Sequence, residues 1–122
     1  MTDDVLQPID PVVEFTINDV KYESTVLTLE VQSKIEQATR QGYYDLLART
    51  AKSNIPCGGF LIEEIKAIFK IAFPDVTEKQ FNEFFIKERL VVYSAVFDVI
   101  CLPFQVLIDD KDKGNEVKKN TQ

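Results

Sequence analysis

The chain has 122 residues, a formal net charge of −6, a pI of about 4.6 and 45% hydrophobic residues. That length supports one domain with a real core and is too short for two ordinary ones. Acidity without a basic cluster beyond Lys118-Lys119 argues against nucleic-acid binding, whose affinity comes largely from phosphate contacts. No apolar run reaches the ~18 residues of a membrane span. The chain has no histidine and only two cysteines, Cys57 and Cys101. A histidine base, a Ser-His or Cys-His nucleophile pair and a zinc site are thereby excluded or nearly so. The expectation is a protein without catalytic chemistry, metal or cofactor.

Residues 1–11 carry three aspartates, two prolines and no basic residue, and read as a flexible acidic arm. An acidic start without a basic n-region argues against a secretory signal and for the cytoplasm. Order is expected from Val12. Phe15 to Tyr22 is a hairpin signal, with Asn18-Asp19 supplying the positive φ of a two-residue turn. That turn sets Ile17 opposite Val20 and Phe15 opposite Tyr22, all on one face. Thr16 and Lys21 fall on the other.

Thr28 reads as the N-cap of a helix that fades near Gln41-Gly42. A short helix follows over Tyr43–Ala51, then a loop through Cys57-Gly58-Gly59. Leu61, Ile65, Ile68, Phe69 and Ala72 share one helical face, which predicts a helix over 60–73. Pro74 ends it. Thr77 caps the next helix, over 78–87, and Gln80 completes a capping box. Leu90 to Ile100 is helix or strand, its length favouring helix. Pro103 is expected to end that element. Phe104–Ile108 is an apolar strand candidate, either a third strand beside the hairpin or an addition to a partner's sheet edge. From Asp109 the residues are charged, and 109–122 reads as a disordered tail.

Each chemical motif has a plainer explanation. Gly58-Gly59 lacks Walker spacing and reads as a turn. Glu63 and Glu64 point ~100° apart and favour the positive end of a helix dipole over acid–base work. Asp109, Asp110 and Asp112 lack the glycine and terminal glutamate of an EF-hand loop. Cys101 lies in an apolar run and reads as a small buried hydrophobe. Phe81, Phe84 and Phe85 share one side of a short helix, for which core packing is the default. Ile86, Leu90 and Tyr93 extend that apolar surface beyond a narrow stripe. Part of it is therefore a candidate docking groove or homo-oligomer contact.

The order of parts resembles a known family. A hairpin, a helix, a short helix, a loop and an apolar helix run into Pro74-Asp75-Val76-Thr77-Glu78-Lys79-Gln80-Phe81. This is similar to the tail assembly chaperones of long-tailed bacteriophages, over roughly Val13 to Ile100. The acidic arm and Phe104–Ile108 depart from that pattern. The resemblance implies a non-catalytic helper that binds the tape-measure protein and recruits tail tube subunits. It would act in the host cytoplasm and be absent from the virion.

The sequence therefore predicts an α+β, mainly α fold. One globular domain over 12–108 packs a hairpin, or a small three-stranded sheet, on four to five helices. The function expected is protein binding, with Phe84, Phe85, Tyr93 and Phe104 as candidate contact residues. The alternative is a small acidic inhibitor or adaptor that binds a host protein.

Overall fold

Asn18 and Asp19 sit at φ 53° and 66° and close a two-residue turn of the type that twisted strands require. The computed structural model describes the backbone of residues 12–120 and the side chains of residues 12–104. Around the turn, β1 (Glu14–Ile17) and β2 (Val20–Glu23) pair antiparallel. Their register is the one the alternation dictates: Ile17 faces Val20 and Phe15 faces Tyr22. Phe15 and Ile17 are buried, while Tyr22 is half-buried and Val20 more open.

Five helices follow: α1 (Leu29–Thr39), α2 (Tyr43–Arg49), α3 (Ile62–Ala72), α4 (Glu78–Lys87) and α5 (Arg89–Asn120). Their ends are set by local chemistry. Thr28 Oγ1 accepts from Val31 N–H, satisfying one orphan donor of α1. Arg40 ends that helix in the left-handed region at φ 60°, its N–H donating to Glu36 O. Gly42 has no side chain to cap α2, so Glu36 reaches over and accepts from Tyr43 N–H at 2.8 Å. At α4, Thr77 Oγ1 accepts from Gln80 N–H and Gln80 Oε1 accepts from Thr77 N–H, a reciprocal capping box.

The core is aromatic on the hairpin side and aliphatic along α5. Phe15 packs against Phe69, Phe73 and Phe84, with ring centroids 5.7, 5.0 and 6.2 Å away. Phe69 also stacks on Phe73 at 4.7 Å and meets Phe81 at 5.2 Å. Val92, Val96, Val99 and Ile100 of α5 are fully buried. Each such side chain stabilises the fold by ~1.5–3 kcal/mol relative to an exposed one.

The C-terminal part departs from the sequence reading. Pro103 does not end the last element. Helical backbone continues through it and across Phe104–Ile108, so that segment is not a third strand, and the sheet of the described residues has two strands. Residues 109–120, read as a disordered tail, also follow the helix to Asn120. A proline inside a helix leaves the carbonyl four residues back without its donor. Here that carbonyl is Val99 O, and Tyr43 Oη donates to it at 3.0 Å. The missing bond is replaced from another helix. The acidic arm expected over 1–11 lies outside the described residues.

Candidate functional site

Leu90, Tyr93, Phe97, Cys101 and Phe104 recur on α5 at steps of three and four. At about 100° per residue they fall within an arc of roughly 80° on one face. The adjoining face carries the buried Val92, Val96, Val99 and Ile100. The stripe thus borders the core without entering it. Leu90 is 62% exposed, and Tyr93, Phe97 and Phe104 are half-buried.

Each end of the stripe meets a neighbouring helix. At one end lies α4, whose Ile86 is 76% exposed and turned away from the buried Phe81–Phe84–Phe85 face of its helix. There Tyr93 stacks on Phe85, ring centroids 5.8 Å apart, and the Arg89 guanidinium lies 4.1 Å over the Phe85 ring. At the other end Phe104 meets Tyr43 at 5.8 Å and Tyr44 at 5.0 Å. Tyr43 points inward and is buried, while its neighbour Tyr44 is 75% exposed. From Tyr93 to Phe104 the helix rises roughly 16 Å.

The four residues singled out from sequence are thus divided. Phe84 and Phe85 are each 7% exposed and belong to the core. Phe84 lies edge-on to Tyr22 at 5.3 Å, under the hairpin, and Phe85 stacks on Phe81 at 5.4 Å. Tyr93 and Phe104 keep partial exposure and lie on one helix face. Tyr44 and Phe97 were missed. The three-and-four spacing from Tyr93 carried the signal for Phe97, but the expected stop at Pro103 hid the continuous face.

Comparison of the chain with protein-family models, with curated proteins and with solved structures finds no match.

Elsewhere the densest polar cluster centres on Arg49. Arg49 makes a two-pronged ion pair with Glu64, both bonds at 2.9 Å, and also donates to Gln41 Oε1 at 2.6 Å. Gln41 Nε2 donates to the same carboxylate at 2.6 Å, and Leu61 N–H donates to it at 2.8 Å. The Arg49 guanidinium also covers the Phe60 ring at 4.3 Å. The hydrogen bonds from Arg49 lead in holding the Glu64 carboxyl down at about 2. This cluster ties the ends of α1 and α2 to the start of α3 and shapes the loop between them.

Cys57 is fully buried, at φ 57°, and burial pushes its thiol up to about 12. Burial also raises the Cys101 thiol, whose Sγ lies 4.0 Å from Thr50 Oγ1. Both thiols are free, and neither is poised as a nucleophile, since the thiolate is the reactive form. Among the described residues no cluster of three or more His, Cys, Asp or Glu could hold a metal ion. No helix of the described residues is long and apolar enough to cross a membrane.

Proposed function

We propose that this chain is a non-catalytic protein-binding assembly factor that acts like a phage tail assembly chaperone. Its client on this reading is a long helical protein of the tape-measure kind, to which it recruits tail tube subunits in the host cytoplasm. The observation that carries the reading is the half-exposed face of α5, Leu90–Tyr93–Phe97–Phe104, widened by Tyr44. An apolar stripe at helical spacing suits a client helix that exposes a matching stripe. Tyrosine and phenylalanine are the residue types that anchor such contacts. The order of hairpin, helices and Pro-Asp-Val-Thr link supports the family assignment.

Affinity capture from cells expressing this chain together with its genomic neighbours tests the reading. The expected result is stoichiometric recovery of a long helix-rich protein encoded beside it. Recovery of an unrelated host enzyme would favour the inhibitor or adaptor reading instead.

A further inference from the structure

The hairpin has an edge of its own. Ile17 and Val20 flank a two-residue turn, so they form a hydrogen-bonded pair. Pairs alternate along an antiparallel ladder. Phe15 and Tyr22 are then bonded as well, and the next pair of that kind is Val13 with Ser24. This parity is visible directly: Ser24 N–H donates to Val13 O at 2.8 Å, and Val13 N–H donates to Ser24 Oγ at 2.9 Å. Lys21 and Glu23 fall on the alternate pairs, opposite Thr16 and Glu14. Their backbone N–H and C=O groups therefore point away from β1. Among the described residues none of these groups has a backbone partner outside the hairpin.

That edge borders a groove. A cleft of about 460 Å³ lies between β2 and the Phe73–Val76 link, and a second, of about 360 Å³, adjoins it between the turn end of the hairpin (Ile17, Asn18, Val20, Tyr22) and α4. They share Tyr22 and Gln80, which divide the groove in the middle. Lys21 to Thr25 line the first cleft in unbroken sequence, so the strand's own backbone forms its wall. The groove lies between a strand edge and a helix, the setting in which an extended peptide adds to a sheet. Its charge leans acidic, although Glu83 already pairs with Lys87 at 3.5 Å. Glu23, Asp75, Glu83 and Glu88 line it against Lys21 and Lys87.

The geometry points to a peptide-binding site at the β2 edge, which takes an extended, lysine- or arginine-bearing segment of a partner protein as a third strand. The segment pairs its main chain with Lys21 and Glu23, and its basic side chains meet the carboxylates of the groove. This site is separate from the α5 stripe and does not depend on that stripe having a client.

The test uses the full chain, labelled with nitrogen-15, and synthetic heptapeptides. The probe is KVKVKVK. One control is EVEVEVE, and the other is the lysine peptide N-methylated at every residue after the first. Binding of the probe should shift the Lys21 and Glu23 amide resonances and slow their hydrogen exchange. The acidic peptide should show no binding, and N-methylation should weaken affinity tenfold or more. Lys21→Pro removes one outward donor, which an edge strand tolerates, and should also cost tenfold. Glu23→Lys with Glu83→Lys provides a second variant, both sites being exposed, and should weaken the probe similarly. Absence of probe binding at millimolar concentration would overturn the site. So would equal affinity for the N-methylated or acidic peptide, or shifts confined to α5.

Discussion

Tyr43 Oη donates a hydrogen bond to Val99 O at 3.0 Å, and Val99 is the residue whose carbonyl Pro103 leaves without a donor. The pairing spans 56 positions and joins the first residue of α2 to the eleventh residue of α5. Burial, with smaller contributions from Cys101 and Glu36, raises the Tyr43 phenol above its ordinary value, so it stays a donor at every physiological pH. Tyr43→Phe strands a buried carbonyl and should cost about 1–3 kcal/mol. In a Pro103→Ala background residue 103 regains an N–H for Val99 O. The same substitution should then cost clearly less. A double-mutant cycle by urea denaturation measures the coupling. Equal costs in both backgrounds would show that the tyrosine does not replace the proline's missing bond.

The Arg49–Glu64 pair makes stability depend on acid. Hydrogen bonds from Arg49 hold the Glu64 carboxyl at about 2 in the fold, against 4.5 ordinarily. A depressed folded value means that the unfolded chain takes up the proton first. The contribution is complete above the unfolded value and is lost as pH falls from about 4.5 towards about 2. Arg49→Met should therefore destabilise the protein at neutral pH and flatten its stability profile over that acid range. Parallel profiles for wild type and variant would contradict the assignment.

The hairpin register predicts opposite outcomes for adjacent residues. Ile17 is 5% exposed beneath the turn, while Thr16 faces out. Ile17→Lys should cost roughly 3–5 kcal/mol, from lost burial and a desolvated charge. Thr16→Lys should leave the melting temperature within a degree or two of wild type. Equal thermal shifts would mean the strands pair one residue out of step.

The cap of α4 is separable from packing, because Thr77 is exposed and its hydroxyl serves the Gln80 N–H at 3.1 Å. Thr77→Ala should cost about 1 kcal/mol. Thermal denaturation should show that as a drop of about 4 °C. Thr77→Ser keeps the oxygen and should recover most of the loss.

What was legible in the sequence is what neighbours in sequence decide. The hairpin register followed from Asn18-Asp19 and strict alternation, and the start of α4 from Thr77 and Gln80 three residues apart. Pro103 was misread because its usual effect is local, while its remedy comes from Tyr43 on a distant helix. With the helix assumed to stop, Phe104–Ile108 read as a separate strand. Phe84 and Phe85 were singled out on helical spacing alone. Spacing cannot show that Tyr22 and Phe15 of the hairpin cover one ring, or that Tyr93 and Arg89 cover the other. Tyr43 and Tyr44 are adjacent and chemically alike, yet one is core and the other surface, because successive helical residues point about 100° apart.

The central claim is that the outer face of α5 binds a protein client, and substitutions confined to its exposed members test it most directly. Tyr44 and Leu90 are 75% and 62% exposed, so changing both to Ser should leave the core intact. Affinity capture of the long helical client proposed above should be measured for wild type and for this double variant, with circular dichroism and melting temperature as controls. The account predicts an unchanged fold and loss of capture by the variant. A folded variant that captures the client as fully as wild type would contradict it.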